Sequence, residues 1–348
     1  MSDTGTQVPD RHKGRATIDD VAQAANVSVA TVSRALRGLP NVADGTRRRV
    51  LEAAEALAYR ADPHASRLAA GRTMTVGMGV PLLNRWYFSR VVASAEAALA
   101  TEGYDVLLFA MGTDAARHRV VSNWADLARR VDALILVDLV LSRTEATELS
   151  RQSAAVVTIG SRQRGLSSVV IDNLAGATAA TEHLLALGHK AIGLVGNQPL
   201  HTVSFPVPAS RRAGYRAALR NAGITHRPEL ESPANFSMEA AVAATDRLLA
   251  LPDPPTAIFA MSDEMAFGVL MSARGNGLSV PRDLSIVGFD DHELAEVVEL
   301  TSVSQPVAQT GVIAARLALE GLKDSAISQH VELPTQLVVR GTTAPPAA

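Results

Sequence analysis

The stretch from residue 73 to residue 340 alternates between apolar runs and amphipathic segments, and this alternation constrains the fold more than any other feature. Strand-like runs lie at 75–80, 104–110, 133–137, 155–159, 168–171, 191–195, 256–260 and 284–289. Helical periodicity is found at 88–102, 115–130, 173–188, 209–223, 237–251, 263–276 and 306–322. Apolar strands separated by helices are typical of parallel sheets covered on both faces. The stretch is too long for one such sheet, so we predict an α/β body of two doubly wound lobes.

Residues 17–36, TIDDVAQAANVSVATVSRAL, predict two short helices joined by a tight turn. From Ile18 onward, apolar residues recur at i, i+3, i+4 and i+7, as on one face of a helix. Asn26 stands at the turn and tolerates a left-handed backbone, and Ser28 is suited to cap the second helix. The inward face of that helix is formed by Val32, Ala35 and Leu36.

The outward face of the second helix has the composition of a surface that meets DNA. It carries Val29, Ala30, Ser33, Arg34 and Arg37. Small side chains allow close approach to a groove, and hydroxyl and guanidinium groups reach bases or phosphates. Residues 11–72 contain eleven Lys and Arg against six Asp and Glu, although the whole chain has a formal net charge of −2. We therefore predict an all-α helix-turn-helix domain over residues 16–60, with DNA as its partner.

A third helix is predicted at about 46–58, and three arginines crowd its first turn. Arg47, Arg48 and Arg49 form this triplet. A run of positive charge is often only a solvated face. Because the triplet lies beside a predicted recognition helix, we favour contacts with DNA phosphates.

Residues 61–72 predict a short hinge helix that begins with an N1 proline, Pro63, directly after the capping residue Asp62, and ends at Gly71. The helix is too short to persist alone, and its only large apolar side chain is Leu68. One interpretation is a plain linker. The other is a helix that folds when two copies meet on DNA and inserts Leu68 between base pairs in the minor groove.

Composition and missing motifs exclude several classes of protein. The sequence has no cysteine, which excludes disulfides and thiolate metal sites and fits a cytoplasmic location. No apolar run reaches the roughly 18 residues of a membrane span, and residues 1–15 read as a disordered N-terminus without a signal peptide. No phosphate-binding loop, HExxH, GxSxG or strand-linked GxGxxG motif is present. We expect no membrane association, no enzymatic activity, no metal and no cofactor.

Several motifs in order resemble the LacI/GalR family of bacterial transcription regulators. They are VSVATVSRAL, TRRRVLEAAEALAYRADPHASRLAAGRT, VVIDNLAGATAATEHLLALGHKAIGLVGN (169–197), SRRAGYRAALRNAG (210–223), MSDEMAFGVL (261–270) and LSIVGFDDHELAEVVELTSVSQP (284–306). The sequence departs from the family at Asn26, where glycine is usual, and at LNRWYF (83–88), where many members read SNPFF.

The resemblance implies a periplasmic-binding-protein-like body of two lobes with three crossovers and a ligand cleft between them. We expect the crossovers near Gly160, Asp291 and Ser325. The resulting lobes are 73–160 with 291–324 and 161–290 with 325–340, followed by a tail at 341–348. Ligands of such sheets bind beyond the carboxyl ends of the strands.

Five residues are predicted to contact the ligand. Arg211, Phe236 and Asp290 match positions that contact the effector in the family. Asp263 follows a predicted strand and either caps the next helix or contacts the ligand. Trp86 is placed as a cleft wall opposite Phe236.

Two neighbouring positions qualify these assignments. Asp291 is the better candidate to cap a helix at 292–298, which leaves Asp290 for the ligand. Gly160 occupies a position where some relatives carry an aspartate, so the sugar of one relative does not transfer directly to this sequence.

The resemblance implies a homodimeric regulator, a repressor rather than an activator, that binds a palindromic operator in double-stranded DNA. The residues predicted to meet DNA are Thr17, Ser28, Val29, Ala30, Thr31, Ser33, Arg34, Arg37, Arg47 and Leu68. A dimer is favoured over a tetramer because the sequence ends in VVRGTTAPPAA, without a leucine heptad.

A small molecule is expected to control the regulator. A sugar or glycoside is the first candidate, and a nucleoside or purine is the second. A phosphoprotein corepressor is a further possibility within the family. The rival from another class is a solute-binding protein of a sugar transporter, which the helix-turn-helix and the missing signal peptide disfavour.

Overall fold

The computed structural model describes residues 16–36, 38–59, 72–139, 141–151, 155–197, 206–324 and 328–347. The chain separates into two compact units between Thr73 and Met74. The predicted disordered N-terminus, Arg37 and most of the predicted hinge helix, with Leu68, lie outside the described residues. What was predicted for them stays a prediction.

The first unit contains three helices. They are α1 Ile18–Ala25, α2 Val29–Leu36 and α3 Asp44–Ala56. The Thr17 side chain caps α1, which ends at Asn26 with φ 50° and ψ 54°, the left-handed conformation predicted there. The helices pack around a small core in which Val21, Val32 and Val50 are fully buried. This core holds one face of α2 inside the bundle and leaves the other exposed.

Two six-stranded sheets organise the second unit. The strands are β1 Thr75–Val80, β2 Asp105–Ala110, β3 Ala133–Val137, β4 Ala155–Ile159, β5 Ser167–Ile171, β6 Ile192–Gly196, β7 Glu231–Pro233, β8 Ala257–Ala260, β9 Ser285–Asp290, β10 Thr301–Ser304, β11 His330–Leu333 and β12 Gln336–Val338. The first lobe is built on the parallel sheet β11-β5-β4-β3-β1-β2. The second lobe is built on β12-β10-β9-β8-β6-β7, in which only β12 is antiparallel to its neighbour.

Helices cover both faces of each sheet, as expected for a doubly wound fold. They are α4 Trp86–Thr101, α5 Asp114–Ser122, α6 Trp124–Leu127, α7 Arg143–Arg151, α8 Asn173–Ala186, α9 Pro206–Asn221, α10 Met238–Leu249, α11 Asp263–Gly275, α12 Glu293–Val297 and α13 Val307–Lys323, with a 3-10 turn at Pro228–Leu230. Along β3, Ile135 enters one apolar cluster while Leu134 and Leu136 enter another. The predicted fold class is confirmed. None of the helices in the described part of the chain is long and apolar enough to cross a membrane.

The first crossover lies later in the chain than predicted. The predicted first lobe ended near Gly160, but β5 pairs with β4 and β11 in the first sheet. The chain therefore enters the second lobe only after Ile171. The prediction of 73–160 and 161–290 as separate lobes was wrong because a short apolar run does not reveal which sheet it joins.

The other two crossovers are also displaced, each by about one element. Because β10 pairs with β9, the chain returns to the first lobe after Ser304 rather than near Asp291. Because β11 pairs with β5, the last crossover follows Leu333 rather than Ser325. β10 (TSVS) and β11 (HVEL) are short and partly polar, so the apolar pattern does not mark them as strands.

The predicted tail at 341–348 is bound to the second lobe over its described residues. The Ile286 N–H donates a hydrogen bond to the Thr342 carbonyl at 2.8 Å. The Ser285 hydroxyl donates to the Ala344 carbonyl at 3.0 Å. The segment predicted only as a tail therefore pairs with the start of β9, because an aperiodic segment can still supply backbone groups that form hydrogen bonds with a strand.

Candidate functional site

The exposed face of α2 carries the side chains predicted to meet DNA. Exposed there are Ser28, Val29, Ala30 and Arg34, with Thr31 and Ser33 half-buried. Val32 and Ala35 are buried on the opposite face. The Ser28 hydroxyl oxygen accepts a hydrogen bond from the Thr31 N–H at 3.2 Å, so Ser28 caps α2 as predicted. The predicted recognition residues thus form one surface, and their contacts with DNA stay predictions.

Thr17 stands at the exposed start of α1. Its N–H donates to the Asp20 carboxylate at 2.7 Å, and its hydroxyl oxygen accepts from the Asp20 N–H at 3.3 Å. The bond from the Thr17 N–H, followed by that from its side chain, lowers the pKa of Asp20. This reciprocal pair fixes the beginning of α1 and keeps Thr17 at the surface.

Arg47 has a structural role that the sequence did not indicate. Its guanidinium donates to the Ala35 carbonyl at 3.2 Å and to the Leu39 carbonyl at 2.7 Å. These carbonyls lie at and beyond the last turn of α2, where a cation is favourable. Arg47 therefore joins α3 to the end of α2, which differs from the predicted phosphate contact. Arg48 and Arg49 are exposed and remain suited to phosphates.

A cavity lies between the lobes of the second unit. Its wall includes Asp138 and Gly160, which follow β3 and β4 in the first lobe. It also includes Ser262 after β8, Asp290 at the end of β9 and Gln305 after β10 in the second lobe. The cavity therefore lies at the carboxyl ends of the parallel strands of both sheets, where ligands of such sheets bind.

Arg211 is a buried cation in the wall of this cavity. It projects from α9 and is 4% exposed. Its Nε atom donates to Asn173 at 2.8 Å, one terminal nitrogen donates to the Met261 carbonyl, and its Cζ atom lies 3.4 Å from the Phe289 ring centroid. Burial lowers the pKa of Arg211, and the Asp290 charge opposes this effect. Hydrogen bonds and stacking thus hold the guanidinium in one orientation.

Asp290 faces the same cavity and is linked to Arg211. Its Oδ1 atom accepts from the Gln305 amide at 2.6 Å and lies 3.5 Å from a terminal nitrogen of Arg211. Burial raises the pKa of Asp290 to about 7, although Arg211 favours the charged form. The predicted pair of Arg211 and Asp290 is therefore brought together in the structure.

Phe236 also lines the cavity, as predicted. Its backbone has φ 53°, and its N–H donates to the Asn197 side chain at 2.8 Å. A bulky residue in this left-handed conformation needs such support. The aromatic side chain is thus presented to the cavity from the loop before α10.

Trp86 does not line the cavity and instead joins the two lobes at another point. Its indole N–H donates to Glu293 at 2.8 Å, and its backbone N–H donates to Glu264 at 3.3 Å. Its ring centroid is 4.5 Å from that of His292. The prediction of Trp86 as a cleft wall is not supported, because the start of α4 directs its ring toward α12 of the second lobe.

Asp263 is fully buried and lies outside the cavity wall. It accepts hydrogen bonds from the Ser302 hydroxyl at 2.6 Å and from the His292 N–H at 2.7 Å. Burial raises the pKa of Asp263 to about 6, against the effect of these bonds. Ser262 caps α11 by accepting from the Met265 N–H at 3.3 Å. Asp263 therefore performs neither predicted role and instead joins β10 to the segment before α12.

The predicted cap of α12 is also different. His292, rather than Asp291, accepts a hydrogen bond from the Leu294 N–H, at 2.9 Å. Asp291 forms an ion pair with Arg340 at 2.7 Å. The role predicted for Asp291 was wrong because Arg340, distant in sequence, competes for its carboxylate.

Three ionisable side chains of the first lobe line the cavity and were not among the predicted ligand contacts. They are Arg85, Tyr87 and Asp138. Burial raises the pKa of Asp138 to about 7, with Arg211 opposing this effect. Burial also raises the pKa of Tyr87 well above its usual value, and the charge of Asp138 adds to that effect. The position of Asp138 directly after a strand was the signal available in the sequence.

Comparisons with known proteins match both units of the chain. The chain matches the bacterial regulatory proteins of the lacI family over residues 17–62 and the periplasmic binding protein-like domain over residues 181–343. The HTH-type transcriptional repressor CytR of Escherichia coli (strain K12) is 34% identical over 335 residues, covering 94% of this chain and 96% of CytR.

Two solved structures have the same architecture. The lac repressor dimer bound to operator and the anti-inducer ONPF has a TM-score of 0.83 at 28% identity, covering 95% of this chain and 100% of that chain. The complex of the transcriptional regulator CelR with cellobiose has a TM-score of 0.68 at 29% identity, covering 94% and 100%.

The chain belongs to the LacI family of bacterial regulatory proteins. It is therefore a DNA-binding transcriptional regulator, and its relatives are regulators rather than known enzymes. Asn26 is the departure from the family motif that the sequence showed in the turn before α2. This residue stands where the family usually has glycine, and its φ of 50° is a conformation that Asn tolerates.

Proposed function

We propose that this LacI-family regulator is a repressor that binds a palindromic operator as a homodimer and is controlled by a sugar or glycoside in the cavity. The observation that carries the proposal is that both lobes contribute buried polar side chains to one cavity. A ligand bonded to both lobes favours one angle between them. Such a preference shifts the population of the DNA-binding state only if the ligand has different affinities for the two states.

The sugar is favoured by the chemistry of the wall. Arg211 and Asp290 supply charged donors and an acceptor that suit vicinal hydroxyl groups. Phe236 offers an aromatic face to the C–H face of a sugar ring. CelR, a structural relative, is described in complex with cellobiose. An aromatic face also suits a purine, so a nucleoside is the second candidate.

The homodimer is supported by an apolar patch on α12 and the residue that follows it. In this patch Leu294, Val297 and Val298 are 50%, 75% and 42% exposed. Large apolar side chains grouped on a surface favour association with another protein. We propose a second copy of this chain as the occupant, in keeping with the dimeric state of the similar lac repressor structure.

On DNA, paired α2 helices of the dimer enter successive major grooves of the operator. The exposed Val29 and Ala30 then select bases at the start of each α2, and Arg34 adds a base or phosphate contact. The predicted insertion of Leu68 into the minor groove is part of the same proposal.

The test is a titration of operator with and without ligand. An operator is first selected from random-sequence duplexes, and a thermal-shift screen of sugars and nucleosides supplies the ligand. We expect the ligand to change operator affinity by about 5- to 150-fold and the operator to change ligand affinity by the same factor. Asp290→Asn should lower the affinity for the ligand. Asp253→Asn, at an exposed position, is the control and should leave that affinity unchanged. Equal operator affinities with and without ligand would refute control through the cavity.

A further inference from the structure

Two side chains of the first lobe present polar atoms to the cavity wall without a hydrogen-bond partner. Among the described residues, three buried side-chain nitrogen or oxygen atoms lack one, namely Arg85 Nε, Trp124 Nε1 and Asp138 Oδ1. Arg85 and Asp138 line the cavity, whereas Trp124 lies in an apolar cluster. A buried polar atom without a partner is destabilising, so two on one wall indicate a ligand that supplies the missing bonds.

Asp138 is held in place by an unusual local backbone. The residue is 4% exposed and has φ 48°, and its N–H donates to the Ile159 carbonyl at 2.9 Å. Gly160, at the end of the neighbouring strand, has φ 80°, and a Cβ atom there would overlap the Oδ1 atom of Asp138. The missing side chain of Gly160 therefore makes room for the Asp138 carboxyl group. Gly160 adopts its left-handed backbone without strain, whereas Asp138 is a non-glycine residue in this uncommon conformation, as is found at many functional sites.

Arg85 presents a donor on the same side of the cavity. It directly precedes α4, and its side chain makes no capping bond there. Glu264, from α11 of the second lobe, also lines the cavity, and the Arg85 charge stabilises its ionised form. Arg85 thus has its charge opposed by a carboxylate while its Nε–H remains unused.

The second lobe presents a similar mixture of charges, but its groups are already bonded. Arg211 donates to Asn173 and Met261, and Asp290 accepts from Gln305. The first lobe therefore has the greater need for new hydrogen bonds. The whole wall contains three carboxyl groups, on Asp138, Glu264 and Asp290, and two guanidinium groups.

We propose that Asp138 and Arg85 anchor an uncharged polyhydroxy ligand to the first lobe, opposite Arg211 and Asp290. This inference rests on the proposed function of the cavity as an effector site. A hydroxyl group both donates and accepts, so hydroxyl groups satisfy the Asp138 oxygen and the Arg85 Nε–H. A phosphate dianion has no proton to donate and would meet the wall's carboxyl groups. The ligand class is therefore a neutral sugar, glycoside or nucleoside rather than a sugar phosphate.

The test compares neutral compounds with their phosphate esters by calorimetric titration at pH 8. The probes are ribose, glucose, cellobiose and adenosine, with ribose 5-phosphate, glucose 6-phosphate and AMP. Wild type is compared with Asp138→Asn, which tolerates the left-handed backbone, and with Asp138→Gly, which adopts it without strain. Asp126→Asn, on the exposed surface of the first lobe, is the matched control.

We expect one neutral probe to bind wild type and the control equally, and its phosphate ester to bind more weakly. Asp138→Gly should lower the affinity for that probe by at least about tenfold, and Asp138→Asn should lower it by less. Without ligand, Asp138→Asn should melt at or above the wild-type temperature, because a buried carboxyl group without a partner is replaced by a neutral amide. A purely structural role would instead lower the melting temperature.

Two results would overturn the inference while leaving the effector site intact. One is equal affinity of wild type and Asp138→Gly for a neutral probe. The other is tighter binding of a phosphate ester than of its neutral parent. If no probe binds wild type, the proposed sugar or nucleoside effector is contradicted, and this inference falls with it.

Discussion

Asp138 and Asp290 face the cavity from opposite lobes, and both carboxyl groups are buried. Burial raises the pKa of each to about 7, and the Arg211 charge opposes the shift in both cases. A raised pKa means that the folded protein binds protons more strongly than the unfolded chain. These residues therefore reduce stability once they are ionised, as groups kept for binding often do.

This difference predicts how stability depends on pH. Between about pH 4 and pH 7 the folded chain holds protons that the unfolded chain has released, so stability falls as pH rises through this window. We expect the melting temperature of the ligand-free protein to fall by several degrees from pH 5 to pH 8. Asp138→Asn should make the decrease smaller, with Asp290 and Asp263, whose pKa values burial also raises, supplying the remainder. Scanning calorimetry across this range measures it, and identical slopes for the two proteins would contradict the prediction.

The residues of the site were only partly predictable from sequence. Arg211 and Asp290 follow recognisable motifs, and the structure places them together. Asp138 has its position because Gly160 leaves space for it on the adjacent strand, and the two residues lie far apart in the sequence. Trp86 was misplaced because the direction of a side chain at a helix start depends on the tertiary neighbours.

At the scale of elements, the joint between α2 and α3 depends on Arg47. Arg47→Met should remove two hydrogen bonds at the end of α2 and destabilise the first unit by about 1–3 kcal/mol. The measurement is amide hydrogen exchange over residues 17–59 of the full chain, where faster exchange is expected.

Arg48→Met is the matched control for this prediction, because Arg48 is exposed on the same helix turn. It should leave hydrogen exchange unchanged and weaken operator binding. The slope of the logarithm of the operator-binding constant against the logarithm of salt concentration should fall in magnitude by roughly one. If exchange becomes faster in Arg48→Met, or does not become faster in Arg47→Met, the structural role given to Arg47 is wrong.

The exposed residues at the start of α2 should determine which operator sequence the protein prefers. Val29 is 39% exposed and makes little contribution to the core. Val29→Gln should therefore preserve stability, lower affinity for the wild-type operator by about tenfold and select a different base at the contacted position. Selection from random duplexes with both proteins measures this. An unchanged consensus sequence would place base recognition elsewhere.

Elements were predicted best where their composition is strongly apolar. All eight predicted strand runs correspond to observed strands, among them β3 and β8, which are buried along their whole length. β10 and β11 were missed because they are short and partly polar, and β11 also pairs with a strand far away in sequence. The lobe boundaries depend on these two short strands and on β5, so pattern alone placed the crossovers too early.

At the scale of the whole molecule, the patch on α12 and Val298 should hold the dimer together. Val297→Asp places a charge at the most exposed position of the patch. We expect a shift from dimer to monomer in sedimentation velocity, with ligand affinity retained. Operator affinity should fall by at least about tenfold, because two linked helix-turn-helix domains bind DNA more tightly than one.

Val312→Asp is the control for the dimer prediction. Val312 is 46% exposed on α13, which packs on the sheet of the first lobe. This variant should remain dimeric. If both variants are monomeric, the added charge disrupts the dimer wherever it is placed. If both remain dimeric, the dimer interface lies on another surface.

The position of Trp86 has a practical consequence. The sequence has two tryptophans, and Trp124 is buried within the first lobe. Trp86 belongs to the first lobe but contacts Glu293 and His292 of the second. A rotation between the lobes therefore changes the surroundings of one indole and leaves the other as a constant background. Intrinsic tryptophan fluorescence therefore reports the opening and closing of the two lobes without a label. It can be followed in stopped-flow mixing and needs no assay on DNA.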